Sequence, residues 1–286
     1  LNLISAFRPK TLVAGAVPVV VGHFLAMAQG FDGHLWISFF CLLSAGCIQI
    51  ATNLFNDAID FEKGADGENR LGPLRWSQSG KASSHRVFLW AFAFSFLALC
   101  FGIPIVIEGG WPFIILGLLS LFLAYSYTGG PFPLAYLGLG DIFVILFFGV
   151  FAVGGVFFLQ TKMITSLAVV GGLQVGFLAT ILIAVNNLRD SKTDVDVGKK
   201  TLAVRFGDRF VQIEILILLM ASYLFLFLYP LDNWKFLPLL TLPLGIKVGM
   251  DVFKLDDKSK LNGTLGKAGL LQLLFGILLA IGLGLQ

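Results

Sequence analysis

Charge is what this 286-residue chain has least of: 13% of residues are Asp, Glu, Lys or Arg, where a soluble domain carries about a quarter. The net charge is only +3, which excludes an electrostatic nucleic-acid binder. Cysteine is also scarce. The three present, Cys41, Cys47 and Cys100, lie in apolar runs without metal-ligand spacing to histidine. They exclude a disulfide framework and a zinc site. No cleavable signal peptide is evident, because the first apolar run continues into the fold without a cleavage site. Lys199-Lys200-Thr201 lacks the upstream glycine of a phosphate-binding loop, since Thr193 holds that place and no strand precedes it.

What remains is apolar. Hydrophobic residues make up 57% of the chain and phenylalanine alone supplies 29 positions, the composition of an integral membrane protein. About 20 apolar residues are needed to cross a bilayer as a helix. That ruler predicts an all-α, polytopic protein with nine transmembrane helices, over 11–29, 34–55, 86–107, 111–128, 139–159, 163–186, 210–230, 234–250 and 267–285. With the N-terminus cytoplasmic, every Lys and Arg except Lys162 and Lys235 falls on the cytoplasmic side, as the positive-inside rule demands. Trp36, Trp111 and Trp234 fall at the outer helix ends. One domain is expected over 1–286, as a pseudo-repeat of roughly 1–135 and 136–266 with a closing helix at 267–285.

Against that apolar background two acidic segments stand out. The first follows the second span: Asn53, Asn56, Asp57, Asp60, Glu62 and Asp66. The second follows the sixth: Asn186, Asn187, Arg189, Asp190, Asp194 and Asp196. Asp57 and Asp60 are three apart, and Asp190 and Asp194 four apart. On a continuing helix each pair shares a face. Carboxylates in an apolar helix cost about 2.5–3.5 kcal/mol each on insertion scales, which a metal ion or a water-filled cavity offsets. Hard oxygen ligands suit Mg²⁺, which takes one or two carboxylates plus phosphate oxygens. The bland alternative is a solvated acidic helix end.

Cations accompany both segments: Arg70 and Arg75 after the first, Arg189, Lys199 and Lys200 in the second. They suit a diphosphate held between metal ions, or simply a positive inner surface. Between the segments, Tyr125 closes the fourth helix and Asp141 opens the fifth. Either points to a ring-orienting group, or respectively to an interfacial tyrosine and a helix cap. Phosphatidyltransferases that use CDP-alcohols also embed carboxylates, but they need Asp-x-x-Asp-Gly in one continuous element. Here Phe61 follows Asp60.

Two motifs, Asn56-Asp57-x-x-Asp60 with Asp66 and Asp190-x-x-x-Asp194, resemble those of the UbiA superfamily of intramembrane aromatic prenyltransferases. The resemblance runs along essentially the whole chain. Arg8-Pro9-Lys10-Thr11-Leu12, Leu71-Gly72-Pro73-Leu74-Arg75, Tyr136 to Asp141 and Asn186 to Asp190 resemble the menaquinone-pathway branch. Asp66 departs from the commoner family spacing, in which Gly64 would be acidic. The Tyr-Ser that in other branches leads to a lysine is followed here by Thr128-Gly129-Gly130.

The resemblance implies nine helices around a central cavity, in the cell's inner (cytoplasmic) membrane with the active site toward the cytoplasm. It implies transfer of a polyprenyl group from polyprenyl diphosphate to 1,4-dihydroxy-2-naphthoate, with loss of CO2 and diphosphate. It further implies Mg²⁺ on Asp57, Asp60, Asp66, Asp190 and Asp194. Asn53, Arg70, Asn187, Arg189 and Lys200 would hold the diphosphate, and Tyr125 and Asp141 would orient the ring. Homogentisate, 4-hydroxybenzoate or a chlorophyllide are the competing acceptors. A cation-coupled transporter is the reading from another class. The lipid bilayer is the expected surroundings, and neither nucleic acid nor an obligate protein partner is expected.

Overall fold

The computed structural model describes residues 6–65, 71–230, 232–254 and 257–285, and among them there is no β-strand. The helices are α1 (Pro9–Ala28), α2 (Leu35–Glu62), α3 (Ser84–Gly109), α4 (Trp111–Ser126), the one-turn α5 (Leu134–Leu137) and α6 (Gly140–Thr161). They continue as α7 (Ser166–Asp196), α8 (Leu202–Phe206), α9 (Asp208–Leu224), α10 (Leu242–Phe253) and α11 (Leu261–Gly284). A 3₁₀ segment extends α9 to Leu228, and others precede α10 and α11. Among the described residues, eight segments are long and apolar enough to cross a bilayer. The fourth expected span forms a shorter apolar helix of 16 residues, α4.

Two helices overrun their expected ends. α2 continues from the expected 55 to Glu62, and α7 from the expected 186 to Asp196. The apolar ruler stops at the first run of amides and acids. The backbone does not: on α2 the acids find donors in the segment that follows, and on α7 Arg189 of the same helix pairs with Asp190. Asp57, Asp60, Asp190 and Asp194 therefore stand on helix ends and not on loops.

α7 is the axis of the molecule. In its apolar window 72% of residues are buried, against 11% in α3, which offers Phe92, Phe96, Ile103 and Ile107 outward. α7 earns the centre with small residues. A Cβ on Gly149 of α6 would lie 2.3 Å from the Gly172 carbonyl oxygen and 2.7 Å from the Gly176 α-carbon. Such backbone contact between α6 and α7 is the close packing that small residues permit in membranes. At that crossing α6 widens into a π-helical stretch, Ile145–Val150, which turns Phe143, Phe147, Phe148 and Phe151 toward a common cavity.

The main core joins α1, α6, α7, α9, α10 and α11 through Val21, Phe157, Val185, Ile215, Val248 and Phe275. A second cluster seats α2 on α3 through Leu54, Phe55, Val87 and Ala91. The space left between these two bodies is the cavity.

Candidate active site

The cavity, about 290 Å³, lies among α1, α2, α4, α6 and α7. Its polar end is formed by Arg8, Thr11, Asn53, Asn56, Tyr127 and Asn186. Ala45 and Ile48 belong also to a second, apolar chamber of about 590 Å³ bounded by α2, α3, α4 and α6. A polar mouth thus sits over an apolar depth.

At the mouth the two acidic helix ends face a single side chain, Tyr136 of α5. Its hydroxyl donates to Asp60 Oδ1 at 3.2 Å. Lys63 Nζ lies 4.2 Å from the centre of its ring and Lys199 Nζ 5.9 Å, within cation–π range. Lys199 in turn approaches Asp194 Oδ1 at 3.7 Å. Backbone bonds hold this tyrosine in place. Lys200 N donates to Tyr136 O at 3.0 Å and Arg205 Nη2 to Leu137 O at 3.0 Å. Gly138, at φ +70°, lets the chain pass there, since a Cβ would sit 2.7 Å from Lys200 O. Burial, then the Asp60 charge and its hydrogen bond, push the Tyr136 phenol well above its usual range, so it stays a neutral donor. Burial draws the Lys63 ammonium below its ordinary value, against the attraction of Asp60.

The first acidic pair is firmly held. Asp57 accepts from the Trp76 amide at 3.0 Å and the Ser77 amide at 3.1 Å. Arg75 Nη1 donates to Asp60 Oδ2 at 2.8 Å and to Asn56 O at 2.6 Å. The chain after α2 therefore folds back over its own acids, and Asn262 Nδ2 ties it to α11 through Leu71 O at 2.8 Å. The second pair differs. Asp190 is gripped by its neighbour Arg189, Nε to Oδ1 at 2.7 Å and Nη2 to Oδ2 at 2.6 Å, while Arg189 Nη1 reaches Asn262 Oδ1 at 2.7 Å. Asp194 Oδ2 is buried with no hydrogen-bond partner.

Several expected residues are placed otherwise. Tyr125, expected to orient a ring, points away from the cavity: it is 38% exposed and packs edge-on against Phe55. Tyr127 lines the cavity instead. Residues two apart on a helix lie some 200° apart, so only one of the two could face inward. Tyr127 reaches from there toward the start of α6. Its hydroxyl fills the space a Cβ on Gly140 would take, 3.1 Å away. The adjacent Asp141 is buried, off the cavity surface, with Oδ1 unmatched.

Lys200 is exposed and contributes its backbone, whereas Lys199 reaches Asp194. Of the two asparagines on α7, Asn186 and not Asn187 lines the cavity. Asn53 lines it too, but its amide is committed to Phe7 O at 2.9 Å and Thr11 Oγ1 at 3.0 Å, which fastens the start of α1. Asp66 and Arg70 lie outside the described residues. Sequence reasoning gave Lys63 and Tyr127 no role, and met Arg8, Asn56 and Tyr136 only as members of motifs, without a place in the site. Arg8 lines the cavity where the chain takes φ 51°, in the left-handed region that side chains rarely adopt, with its carbonyl accepting from Thr11 N at 2.8 Å.

The family pattern described as the UbiA prenyltransferase family matches residues 15–283. The chain belongs to the UbiA prenyltransferase family. It is thus a prenyltransferase and a multi-pass membrane protein. A 1,4-dihydroxy-2-naphthoate octaprenyltransferase of Haemophilus influenzae is 37% identical, over 96% of this chain and 93% of that one. The Escherichia coli protein of the same name is 34% identical, over 99% and 95%. Among solved structures, a UbiA homologue of Archaeoglobus fulgidus bound to DMAPP and Mg²⁺ superposes with a TM-score of 0.68 over 99% of both chains, at 18% identity. That likeness carries the UbiA fold to this chain.

Proposed function

We propose that this UbiA member transfers a polyprenyl group from polyprenyl diphosphate to 1,4-dihydroxy-2-naphthoate, releasing diphosphate and CO2 in menaquinone biosynthesis. The observation that carries the reading is the junction at Tyr136, where two acidic helix ends and two lysines meet above a cavity with an aromatic wall. The names of the two relatives just described support the choice of acceptor.

The donors fit Mg²⁺. They are hard carboxylate oxygens, and Asp194 keeps one buried and unmatched. Among the described residues no three His, Cys, Asp or Glu side chains gather into a metal cage, so water and phosphate oxygens would have to complete the ion's shell. Asp60, Asp190 and Asp194 would hold it, with Asp66 from its motif position and Asn56 adjacent. Asp57 serves chiefly to hold the covering segment. When bound, the ion neutralises charge on the departing diphosphate.

The chain's own residues do the rest. Lys63, Lys199 and Arg8 bring positive charge to the diphosphate end, with Arg70 and Arg189 in support. The allylic C–O bond breaks and its electron pair leaves with diphosphate. Phe143, Phe147, Phe148 and Phe151 keep water from the allylic cation. The electron-rich ring carbon bearing the carboxylate forms the new C–C bond. The C–CO2 bond then breaks, its electrons restore aromaticity, and the product is a hydroquinone. Tyr127, backed by Asp141, orients the ring.

The same proposal places nine spans, a cytoplasmic N-terminus and both acidic ends on the cytoplasmic face of the inner membrane. It also keeps the pseudo-repeat of roughly 1–135 and 136–266, for the acid-bearing α2 and α7 are four spans apart. Purified protein incubated with farnesyl diphosphate and a mixture of aromatic acceptors should yield the prenylated, decarboxylated naphthohydroquinone by mass, and only with Mg²⁺. Turnover after exhaustive chelation, or a product from homogentisate or 4-hydroxybenzoate alone, would overturn the assignment.

A further inference from the structure

Along α2, Gln49, Asn53, Asn56 and Asp60 follow at spacings of four, three and four. This is one face of a helix, and its first three members line the cavity. Gln49 is the deepest, about 10 Å of helix below Asn56. Beside it Ala45 and Ile48 begin the apolar wall. It is 7% exposed.

The orientation of its carboxamide is set by a relay. Asn53 donates both amide hydrogens outward, to Phe7 O and Thr11 Oγ1. Its oxygen must then face Gln49, whose Nε2 donates to it at 3.5 Å. Gln49 Oε1 is left buried and without a partner. An unmatched carbonyl in an apolar wall is costly, and its fixed polarity makes it selective. It stabilises a donor and repels another acceptor.

We infer that Gln49 is an acceptor-binding, specificity-determining residue: Oε1 accepts a hydrogen bond from a ring hydroxyl of the reduced aromatic acceptor and so discriminates against its quinone form. The inference rests on the proposed naphthoate acceptor. A hydroquinone presents an O–H to Gln49, whereas the oxidised ring presents a carbonyl in the same place. Only the reduced ring is electron-rich enough to attack the prenyl cation, so the amide selects the reactive redox state before the diphosphate leaves.

The experiment uses the full chain with Mg²⁺ and farnesyl diphosphate. It measures KM for 1,4-dihydroxy-2-naphthoate and inhibition by 1,4-naphthoquinone-2-carboxylate. Wild type should be inhibited only at quinone concentrations at least ~10-fold above the acceptor KM, the factor of one good buried hydrogen bond. Gln49→Leu and the equally long Gln49→Met should raise the acceptor KM about 10- to 100-fold. They should leave the farnesyl diphosphate KM within about twofold, since a cavity residue below the diphosphate adds uniform binding to one substrate only. The ratio of quinone inhibition constant to acceptor KM should fall toward one in both. An unchanged acceptor KM and ratio, in enzyme that still turns over the naphthoate, would overturn the inference and leave the proposed function standing, with Oε1 bonded to water only. Equal wild-type affinity for quinone and hydroquinone would overturn it without any variant. Wild type that makes no naphthoate product removes the proposed function and this inference together.

Discussion

The ends of α2 and α7 carry the same chemistry under opposite constraint. On α2, Asp57 and Asp60 are fully engaged by donors from the chain that follows: two amides, Arg75, and Tyr136 from α5. On α7, Asp190 is held by its own neighbour Arg189, and Asp194 is nearly free, with one weak lysine contact and one unmatched oxygen. The first end is thus a structural corner as well as a site. The second is the more available. Replacing an acid should therefore have unlike consequences at the two ends, although activity depends on both.

Replacement of Asp60 and of Asp194 by alanine tests that contrast most strongly. Both should lower kcat by about 10²–10³-fold, the scale for removing a preorganised electrostatic group. Their effects on folding should diverge. Asp60→Ala removes the carboxylate that pairs with the part-buried Arg75 guanidinium and should cost about 3 kcal/mol. Asp194→Ala removes an unsatisfied oxygen and a long ion pair, and should cost about 1 kcal/mol or less. Thermal unfolding in one detergent, alongside turnover, separates the two. Equal destabilisation would erase the distinction between the ends.

A smaller effect is expected where α2 grips its covering segment. Asp57→Ala leaves the Trp76 and Ser77 amides without an acceptor, at about 1–3 kcal/mol for each buried donor. Asp57→Asn, which keeps one oxygen, should cost less. Hydrogen exchange over 71–83 should quicken in the alanine variant, while the end of α7 stays protected. Faster exchange at both ends would mean that they open as one unit.

The smallest change concerns the link between them. Tyr136→Phe removes one hydrogen bond to Asp60, about 1 kcal/mol, but keeps the ring beneath Lys63 and Lys199. A loss of roughly fivefold in kcat/KM is expected, since 1.4 kcal/mol corresponds to a factor of ten. Tyr136→Leu, which also removes the aromatic face, should lose more. Equal losses would locate the whole role in the hydroxyl.

Much of this was legible from residue order. The apolar runs located the helices to within a few residues, except where α2 and α7 continue beyond the membrane ruler into polar sequence and where α11 begins at Leu261, ahead of the expected 267. The two acidic segments were legible for the same reason: carboxylates beside long apolar runs have no packing explanation. Direction was harder to read. Tyr125 and Tyr127, Asn186 and Asn187, and Lys199 and Lys200 are pairs in which composition gives equal weight to both members, and helix phase or a local turn selects one. In each pair the expected member was not the one facing the cavity or the acids.

Residue order by itself therefore determined an all-helical membrane protein with two acidic ends and the chemistry of hard oxygen ligands, because hydrophobic length and charge are local properties. Only the tertiary structure decided how those ends are joined. Tyr136, 76 residues from Asp60 and 58 from Asp194, meets both motifs because Gly138 turns the chain against Lys200. Gln49 likewise becomes a directional acceptor only because Asn53 is fastened to the start of α1. Contacts between distant segments, and the polarity of an amide within a hydrogen-bond relay, follow from packing, and no local pattern in the sequence encodes them.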